Sequence, residues 1–246
     1  MAKVFALGMT IMIGLFGYSQ WQEAQIRQQI LATTVQITMI VPQLADVNHN
    51  EIEPLPIPPD EYRPIAQPES YVIAEGLGTL VKMNGRTLLI THDHWSQLTA
   101  DLGDVQFRDA AGVLLAEMDL YQFKRLIVGR DKGTMVLVAP NSLQDLVIVP
   151  TKVGVTENDG LLLVHRQKGQ VVVSSVQRVE TGLKDGVAVW RLQGQAVENG
   201  DSGGGVWVNG QLVATMWTTV MMENPVTGER QATDLSVAAV FNNVVP

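Results

Sequence analysis

The amino-acid sequence predicts an all-β protein, and three observations support this fold class. From Ala32 onward, apolar residues alternate with polar ones more often than they recur at helical spacing, and β-branched residues are frequent. Turn-forming dipeptides separate these β-prone runs, and the runs predict roughly a dozen strands. Apolar residues make up 46% of the chain and charged residues only 17%, which excludes a disordered chain. Many short strands joined by hairpin turns predict a sandwich or a set of barrels.

Charge and cysteine content exclude several functions. The chain carries 17 Lys and Arg residues against 25 Asp and Glu residues, a formal net charge of −8. A sequence pI of about 5.0 leaves no excess of cations to displace counterions from a phosphate backbone, so no nucleic-acid partner is expected. The absence of cysteine excludes disulfides, thiolate nucleophiles and thiolate metal sites.

The first element is an apolar segment. Lys3 is followed by Val4–Tyr18, a run of 15 uncharged residues, with the small residues Gly17 and Ser19 at its end. A membrane-spanning helix needs about 20 apolar residues and a signal-peptide core about 7 to 15. Residues 1–19 are therefore predicted to be a signal peptide or a membrane anchor. The cation before the run predicts an extracytoplasmic location for the rest of the chain, secreted or anchored. A buried core helix is the alternative, disfavoured because the run is apolar on all faces.

The next segments are a helix, a strand and a long loop. Residues from about Gln20 to Leu31 are rich in Gln, Glu and Ala and predict a helix. Thr33–Val41 alternates as a strand does. Residues 42–70 contain most of the eleven prolines, and because proline cannot donate a ladder hydrogen bond, they predict an extended surface loop. Further along, four dipeptides predict tight hairpin turns. They are Asn84-Gly85, Asp159-Gly160, Asp185-Gly186 and Asn209-Gly210.

Two hairpins carry the residues with catalytic chemistry. The first, Gly76–Trp95, ends with His92 and His94 at the end of its second strand. The second is preceded by Gly200-Asp201-Ser202-Gly203-Gly204, which places a serine in a glycine-rich turn. Such glycines allow backbone N–H groups to point into one concavity, as an oxyanion beside a serine Oγ requires. An ordinary Gly-Ser loop is the alternative.

A serine nucleophile needs a base, and the base needs a third group that orients it. Histidine is the natural base, and the chain has four. His49 lies in the proline-rich loop, His165 ends an apolar run, and His92 and His94 close the first hairpin. Asp131 is the candidate acid, because it is a lone carboxylate leading into an otherwise apolar strand. A solvated turn residue is the alternative interpretation of Asp131.

Three motifs in the order His, Asp, Ser resemble those of the trypsin-like serine peptidases. They are Ile90-Thr91-His92-Asp93-His94, Asp131-x-Gly-x-x-Val-Leu and Gly200-Asp201-Ser202-Gly203-Gly204. The short separations and the absence of cysteine are closest in pattern to the bacterial high-temperature-requirement (Deg-type) peptidase domain. The resemblance implies two six-stranded antiparallel β-barrels within a peptidase domain of residues 20–246. The first barrel would cover about 32–140 and the second about 141–246.

The resemblance also implies the residues of the site. Thr91 stands three residues before His94, so His94 matches the catalytic histidine, and His92 is expected to be a strand-end side chain near the site. The catalytic residues would be His94, Asp131 and Ser202, the oxyanion hole Gly200 and Ser202, and the specificity pocket Ala196, Val197, Trp217, Thr218 and Thr219.

Further expectations follow from the resemblance and from the departures from it. The implied function is a serine endopeptidase that acts on polypeptides through an acyl-enzyme intermediate, without metal or cofactor. Because Ala196 and Val197 carry no charge, the pocket is expected to prefer an apolar side chain. No Ile-Val-Gly-Gly sequence occurs, so Asp201 is not expected to pair with an amine freed by cleavage.

Other functions remain possible on the sequence. A non-catalytic peptidase-fold protein that binds or scaffolds a partner is one alternative. A zinc hydrolase using His92 and His94 is another, since Thr91-His92-Asp93-His94 is similar to the zinc motif of metallo-β-lactamase-like enzymes. Ser96 and Gln97 stand where that motif needs Asp and His, which weakens the zinc interpretation.

Overall fold

A computed structural model describes most of the chain from the first helix onward. The described residues are 20–43, 70–93, 95, 100, 102–144, 146, 160–195, 197–223 and 227–240. Residues 1–19, His94 and Ala196, on which predictions fall, lie outside them. Within these ranges, no helix combines the length and the apolarity that crossing a membrane requires.

The described residues form thirteen strands and little helix, in agreement with the predicted all-β class. Residues 20–32 are helical (α1), as the sequence predicts. A short helix that the sequence did not predict, α2, covers Leu120–Arg125. The strands are β1 Thr34–Gln43, β2 Ser70–Met83, β3 Arg86–Thr91, β4 Asp104–Asp109, β5 Leu114–Asp119, β6 Ile127–Arg130, β7 Met135–Val138, β8 Leu161–Gln167, β9 Gln170–Lys184, β10 Val187–Gln193, β11 Gly205–Val208, β12 Gln211–Glu223 and β13 Arg230–Val240.

The first half of the chain differs from the implied six-stranded barrel. Its described strands form a seven-stranded antiparallel sheet in the order β5-β4-β1-β2-β3-β7-β6. Helix α2 follows β5 directly and contacts β4, β5 and β6. The Asp119 carboxylate caps the helix by accepting from Gln122 N at 2.7 Å, and Leu120 and Phe123 are buried in the core. Helical side chains therefore fill the space between the two end strands.

The second half is a closed barrel of six strands, as the resemblance implies. The strand order is β10-β13-β12-β11-β8-β9, and all pairs are antiparallel. Alternate residues of these strands point inward, and they include the fully buried Leu163, Leu192 and Val206. Closure leaves none of the described strands of this half with a free edge, and it gives a rigid support for the loop that precedes β11.

An apolar cluster joins the two halves. It contains Leu77 and Ile90 from the first sheet together with Val164 and Trp207 from the barrel. Ile30 of α1 is buried in the same cluster. The cluster packs β2 and β3 against β8 and β11.

The predicted boundaries of the proline-rich loop, residues 42 and 70, both fall within strands. Pro42 lies in β1, where it pairs with Tyr71, and Ser70 opens β2. Pro42 is accepted there because the pairing of β1 with β4 ends at Ile40, so the missing N–H is not needed on that side. Residues 44–69 lie outside the described part of the chain.

Candidate active site

Ser202 lies in a tight loop just before β11. Gly200 and Gly203 have φ values of +92° and +88°, which side-chain-bearing residues rarely adopt. Gly203 N donates to Met216 O at 2.8 Å, which ties the loop to β12. The Ser202 hydroxyl is half-buried and donates to Trp217 O at 3.2 Å. The loop is therefore held by main-chain bonds on the barrel side, with the hydroxyl at its surface.

The same loop is bonded to the first sheet. Leu77 N of β2 donates to Ser202 O at 2.8 Å, and Thr91 Oγ1 of β3 donates to Leu77 O at 2.6 Å. A Cβ atom on Gly203 would lie only 2.0 Å from Leu77 O and 3.0 Å from His92 N. The serine loop therefore touches the end of β3, from which the chain continues to His94 three residues later.

His92 is buried at the junction of the two halves, with 5% of its surface exposed. Its Nδ1 donates to Gly133 O at 2.7 Å, and its ring centroid is 5.4 Å from that of Trp217. Burial lowers the pKa of His92, and the Lys184 ammonium lowers it further, against the opposing effects of Gly133 O and Asp131. Burial therefore favours the neutral form of the imidazole. The sequence predicted a position near the site but not this burial.

Asp131 lies in the loop between β6 and β7. Its Oδ1 accepts from Gly133 N at 2.8 Å and from Thr134 N at 2.7 Å, while Asp131 N donates to Thr134 O at 2.9 Å. The carboxylate thus orders its own turn and acts on His92 through its charge. Its relation to His94, the histidine that the sequence assigns as its partner, lies outside the described residues.

Asp201 is buried directly before the nucleophile, with 1% of its surface exposed. Its carboxylate accepts from Arg166 N and from Glu198 N, each at 2.6 Å. Burial raises the pKa of Asp201, while these two bonds and the nearby His165 and Arg166 oppose the rise. Two backbone amides therefore satisfy the carboxylate.

A small cavity of about 100 Å³ opens beside Ser202. Its lining includes four of the five predicted pocket residues, Val197, Trp217, Thr218 and Thr219, together with Gly200 and Met216. Ala196, the fifth, lies outside the described residues. The Lys184 Nζ atom lies 4.3 Å from the centroid of the Trp217 ring, so a cation stands at this side of the site.

A metal site is not formed by the described residues alone. No group of three or more His, Cys, Asp or Glu side chains in this part of the chain is arranged to hold a metal ion. The zinc alternative needs His94, which lies outside these residues.

Sequence reasoning missed several residues that shape the site. Arg166 lies against Gly200 of the serine loop, and Lys184 lies near enough to His92 to act on its charge. Both residues are far along the chain from the features they approach. Leu77 bonds the Ser202 loop through its backbone N–H, and its buried apolar side chain does not distinguish it in the sequence from any other core residue. For Arg166 a signal existed, because a cation two residues after the apolar run Leu161–Val164 is unusual in a strand unless it has a charged or polar partner.

Comparison with solved structures identifies the fold. The HtrA-type protease AlgW, solved with a decapeptide, gives a TM-score of 0.55 at 15% identity, over 88% of this chain and 62% of AlgW. The MamO protease domain from Magnetospirillum magneticum gives 0.46 at 14% identity, over 86% of this chain and 93% of that domain. Tobacco etch virus protease complexed with product gives 0.45 at 14% identity, over 87% of this chain and 75% of that one.

The chain has the trypsin-like serine peptidase fold that the motifs imply. It spans 62% of the length of AlgW, so the comparison covers the fold and not that whole protein. No protein-family model matches the sequence, and no curated protein sequence matches it.

Proposed function

We propose that the protein is a serine endopeptidase with Ser202 as nucleophile, His94 as base and Asp131 as the acid that orients it. The observation that carries this proposal is the bonding of the Ser202 loop to both halves of the fold. Leu77 N holds Ser202 O, and the loop packs against the end of β3, where the two histidines of the first hairpin begin. A serine at such a junction is within reach of residues from the first sheet.

The proposed reaction is acyl transfer. Ser202 Oγ attacks the peptide carbonyl carbon, and His94 accepts the hydroxyl proton. The tetrahedral intermediate expels the amine, which receives that proton from His94, and an ester to Ser202 remains. Water then attacks the ester with the same base, releasing the acid and restoring the serine. Asp131 keeps the imidazole of His94 in the required tautomer throughout.

The oxyanion would be bound by the N–H groups of Gly200 and Ser202. Gly204 N donates to Asp201 O at 2.9 Å, which fixes the peptide unit that carries the Ser202 N–H. The positive φ of Gly200 sets the direction of the chain next to it, and both observations support this role. Each such donor contributes about 3 to 4 kcal/mol in a comparable peptidase. A change that turns either N–H away from the oxyanion should therefore lower the rate of acyl transfer without preventing substrate binding.

The proposed substrate is a polypeptide with a modest apolar side chain at the cleavage site. The cavity of about 100 Å³ beside Ser202 and the buried Val197 in its lining support this preference. The decapeptide bound to AlgW supports a peptide substrate for this fold. We also propose that the protein acts outside the cytoplasm, secreted or anchored by residues 1–19; the mass of the exported protein would distinguish a cut after Ser19 from a retained anchor.

The decisive experiment uses a fluorophosphonate probe and labelled casein. Wild-type protein should react with the probe and hydrolyse casein, and Ser202→Ala should lose both, with casein turnover reduced about 10⁴-fold or more. Ser175→Ala is the matched control, because Ser175 is an exposed serine of β9 that bonds Arg27 of α1. Inactive, unlabelled but folded wild-type protein would favour a binding or scaffold role. Activity that a chelator removes and the probe spares would favour zinc.

A further inference from the structure

Arg166 is a buried cation that belongs to neither the predicted triad nor the pocket. It is the next-to-last residue of β8, and only 8% of its side chain is exposed. A guanidinium so deeply buried requires charged or polar partners, because its desolvation is otherwise uncompensated. The residues that bond the Arg166 guanidinium therefore indicate its role.

The partners of the guanidinium lie on the other half of the fold. Nη1 is 3.2 Å from Glu75 Oε2 on β2, and Nη2 donates to Gln36 Oε1 on β1 at 3.4 Å. Glu75 stands two residues before Leu77, the residue whose N–H holds Ser202 O. We call this contact between β8 and the first sheet the Arg166 bridge. It runs beside the Leu77–Ser202 hydrogen bond.

Arg166 also touches both residues that precede the nucleophile. Its backbone N–H donates to Asp201 Oδ1 at 2.6 Å. Its guanidinium lies directly on Gly200, where an added Cβ atom would be 1.8 Å from Nη1 and 3.0 Å from Cζ. Glu75 Cβ lies against the same point, 3.3 Å from that Cβ position. The Gly200–Asp201 peptide is thus enclosed by one arginine and its carboxylate partner.

We propose that Arg166 is a positioning residue, which through Glu75 and Gln36 fixes the Gly200–Ser202 loop so that its amide N–H groups point to one site. The expected effect on the labelling rate of Ser202 rests on the proposed peptidase function, whereas the expected ordering of the loop does not. Preorganised donors lower a barrier only while their direction is fixed before the reaction begins. Without the bridge, the glycine-rich loop keeps its main-chain bonds at Gly203 but loses the contact between the guanidinium and Gly200.

The test compares four variants for the rate of fluorophosphonate labelling and for amide hydrogen exchange in residues 198–204. Arg166→Met should lower the maximal labelling rate about 10²-fold, the loss typical of one oxyanion donor, with the probe concentration at half-maximal rate little changed. Arg166→Lys should restore part of the rate, because lysine keeps the charge but lacks the fork that reaches two partners. Glu75→Gln should cost about fivefold, as expected for an ion pair with a half-exposed partner. Arg230→Met removes an exposed ion pair with Glu223 and should change nothing.

Hydrogen exchange separates the bridge from the chemistry. Exchange in residues 198–204 should be faster in Arg166→Met and in Glu75→Gln than in wild type or Arg230→Met. Unchanged exchange would overturn the proposal even if the labelling rate fell, and so would a wild-type labelling rate in Arg166→Met. If wild-type protein is not labelled at all, the peptidase proposal fails, and exchange alone decides whether the bridge orders the loop. Glu75→Gln keeps this comparison available if Arg166→Met does not fold, since Glu75 is half-exposed.

Discussion

Replacing Gly203 by alanine tests how tightly the serine loop is fitted to the first sheet. The new Cβ would lie 2.0 Å from Leu77 O and 2.4 Å from Thr91 Oγ1, in a residue with φ of +88°. Gly169→Ala is the matched control, because Gly169 has φ of +79° in the β8–β9 turn and nothing within 4 Å of its Cβ position. The two variants share the backbone strain and differ in the collision.

The magnitude follows from the contacts that would be lost. Left-handed backbone costs a non-glycine residue about 1 to 2 kcal/mol, and reduced freedom of the unfolded chain offsets about 0.4 to 1 kcal/mol of that. Gly169→Ala should therefore lower the free energy of unfolding by at most about 1.5 kcal/mol. Gly203→Ala must also break the Thr91–Leu77 and Leu77–Ser202 hydrogen bonds, and a buried group left without a partner costs about 1 to 3 kcal/mol. With two such bonds lost, the total for Gly203→Ala should be about 2 to 7 kcal/mol.

Urea unfolding followed by tryptophan fluorescence measures both losses, and fluorophosphonate labelling reports the position of Ser202. Gly203→Ala should be strongly destabilised and labelled slowly even under conditions where it is folded, whereas Gly169→Ala should be labelled like wild type. Equal destabilisation by the two substitutions would refute the reasoning, because it would mean that the loop has room at Gly203.

Three further predictions concern single side chains. The pKa of His92 is lowered from 6.5, so the unfolded chain binds its proton more readily, and stability present above pH 6.5 should be lost as the pH falls below that value; His92→Gln should make that loss shallower in urea titrations. Asp131→Asn keeps the Oδ1 acceptor of its turn, so it should change stability by about 1 kcal/mol or less while lowering casein turnover about 10⁴-fold; normal turnover would exclude Asp131 as the acid. Arg27→Met removes the bonds from α1 to Val173 O and Ser175 Oγ, and limited proteolysis should then cut within α1 faster; unchanged cutting would show that apolar contacts alone hold the helix.

Local patterns in the sequence predicted the fold well where the chain determines its own geometry. Asn84-Gly85, Asp185-Gly186 and Asn209-Gly210 all adopt positive φ at both positions, as type I′ hairpins require. Asp159 lies outside the described residues, so that turn stays a prediction. The turn at Lys168-Gly169 has the same geometry but was not predicted, because lysine is not a residue that favours positive φ.

The parts that could not be predicted depend on contacts between distant residues. Helix α2 has only six residues, and its stability comes from the burial of Leu120 and Phe123 rather than from a periodic pattern long enough to recognise. The motif order predicted that Ser202 lies near the end of β3, and the Ser202 loop does contact that end. It could not show the burial of His92 against Trp217 or the reach of Arg166 to Glu75, because both depend on how the two halves pack.

The hydrogen bond from Leu77 N to Ser202 O joins two main chains, and this has a consequence for how the site tolerates change. Exchanging one side chain for another at position 77 leaves the N–H in place, and only proline removes it. The alignment of the nucleophile loop with β2 should therefore survive a substitution at position 77 whose side chain still fills the apolar cluster that joins the two halves. An alignment carried by main-chain bonds can persist while side chains vary, which is consistent with a shared fold at 15% identity.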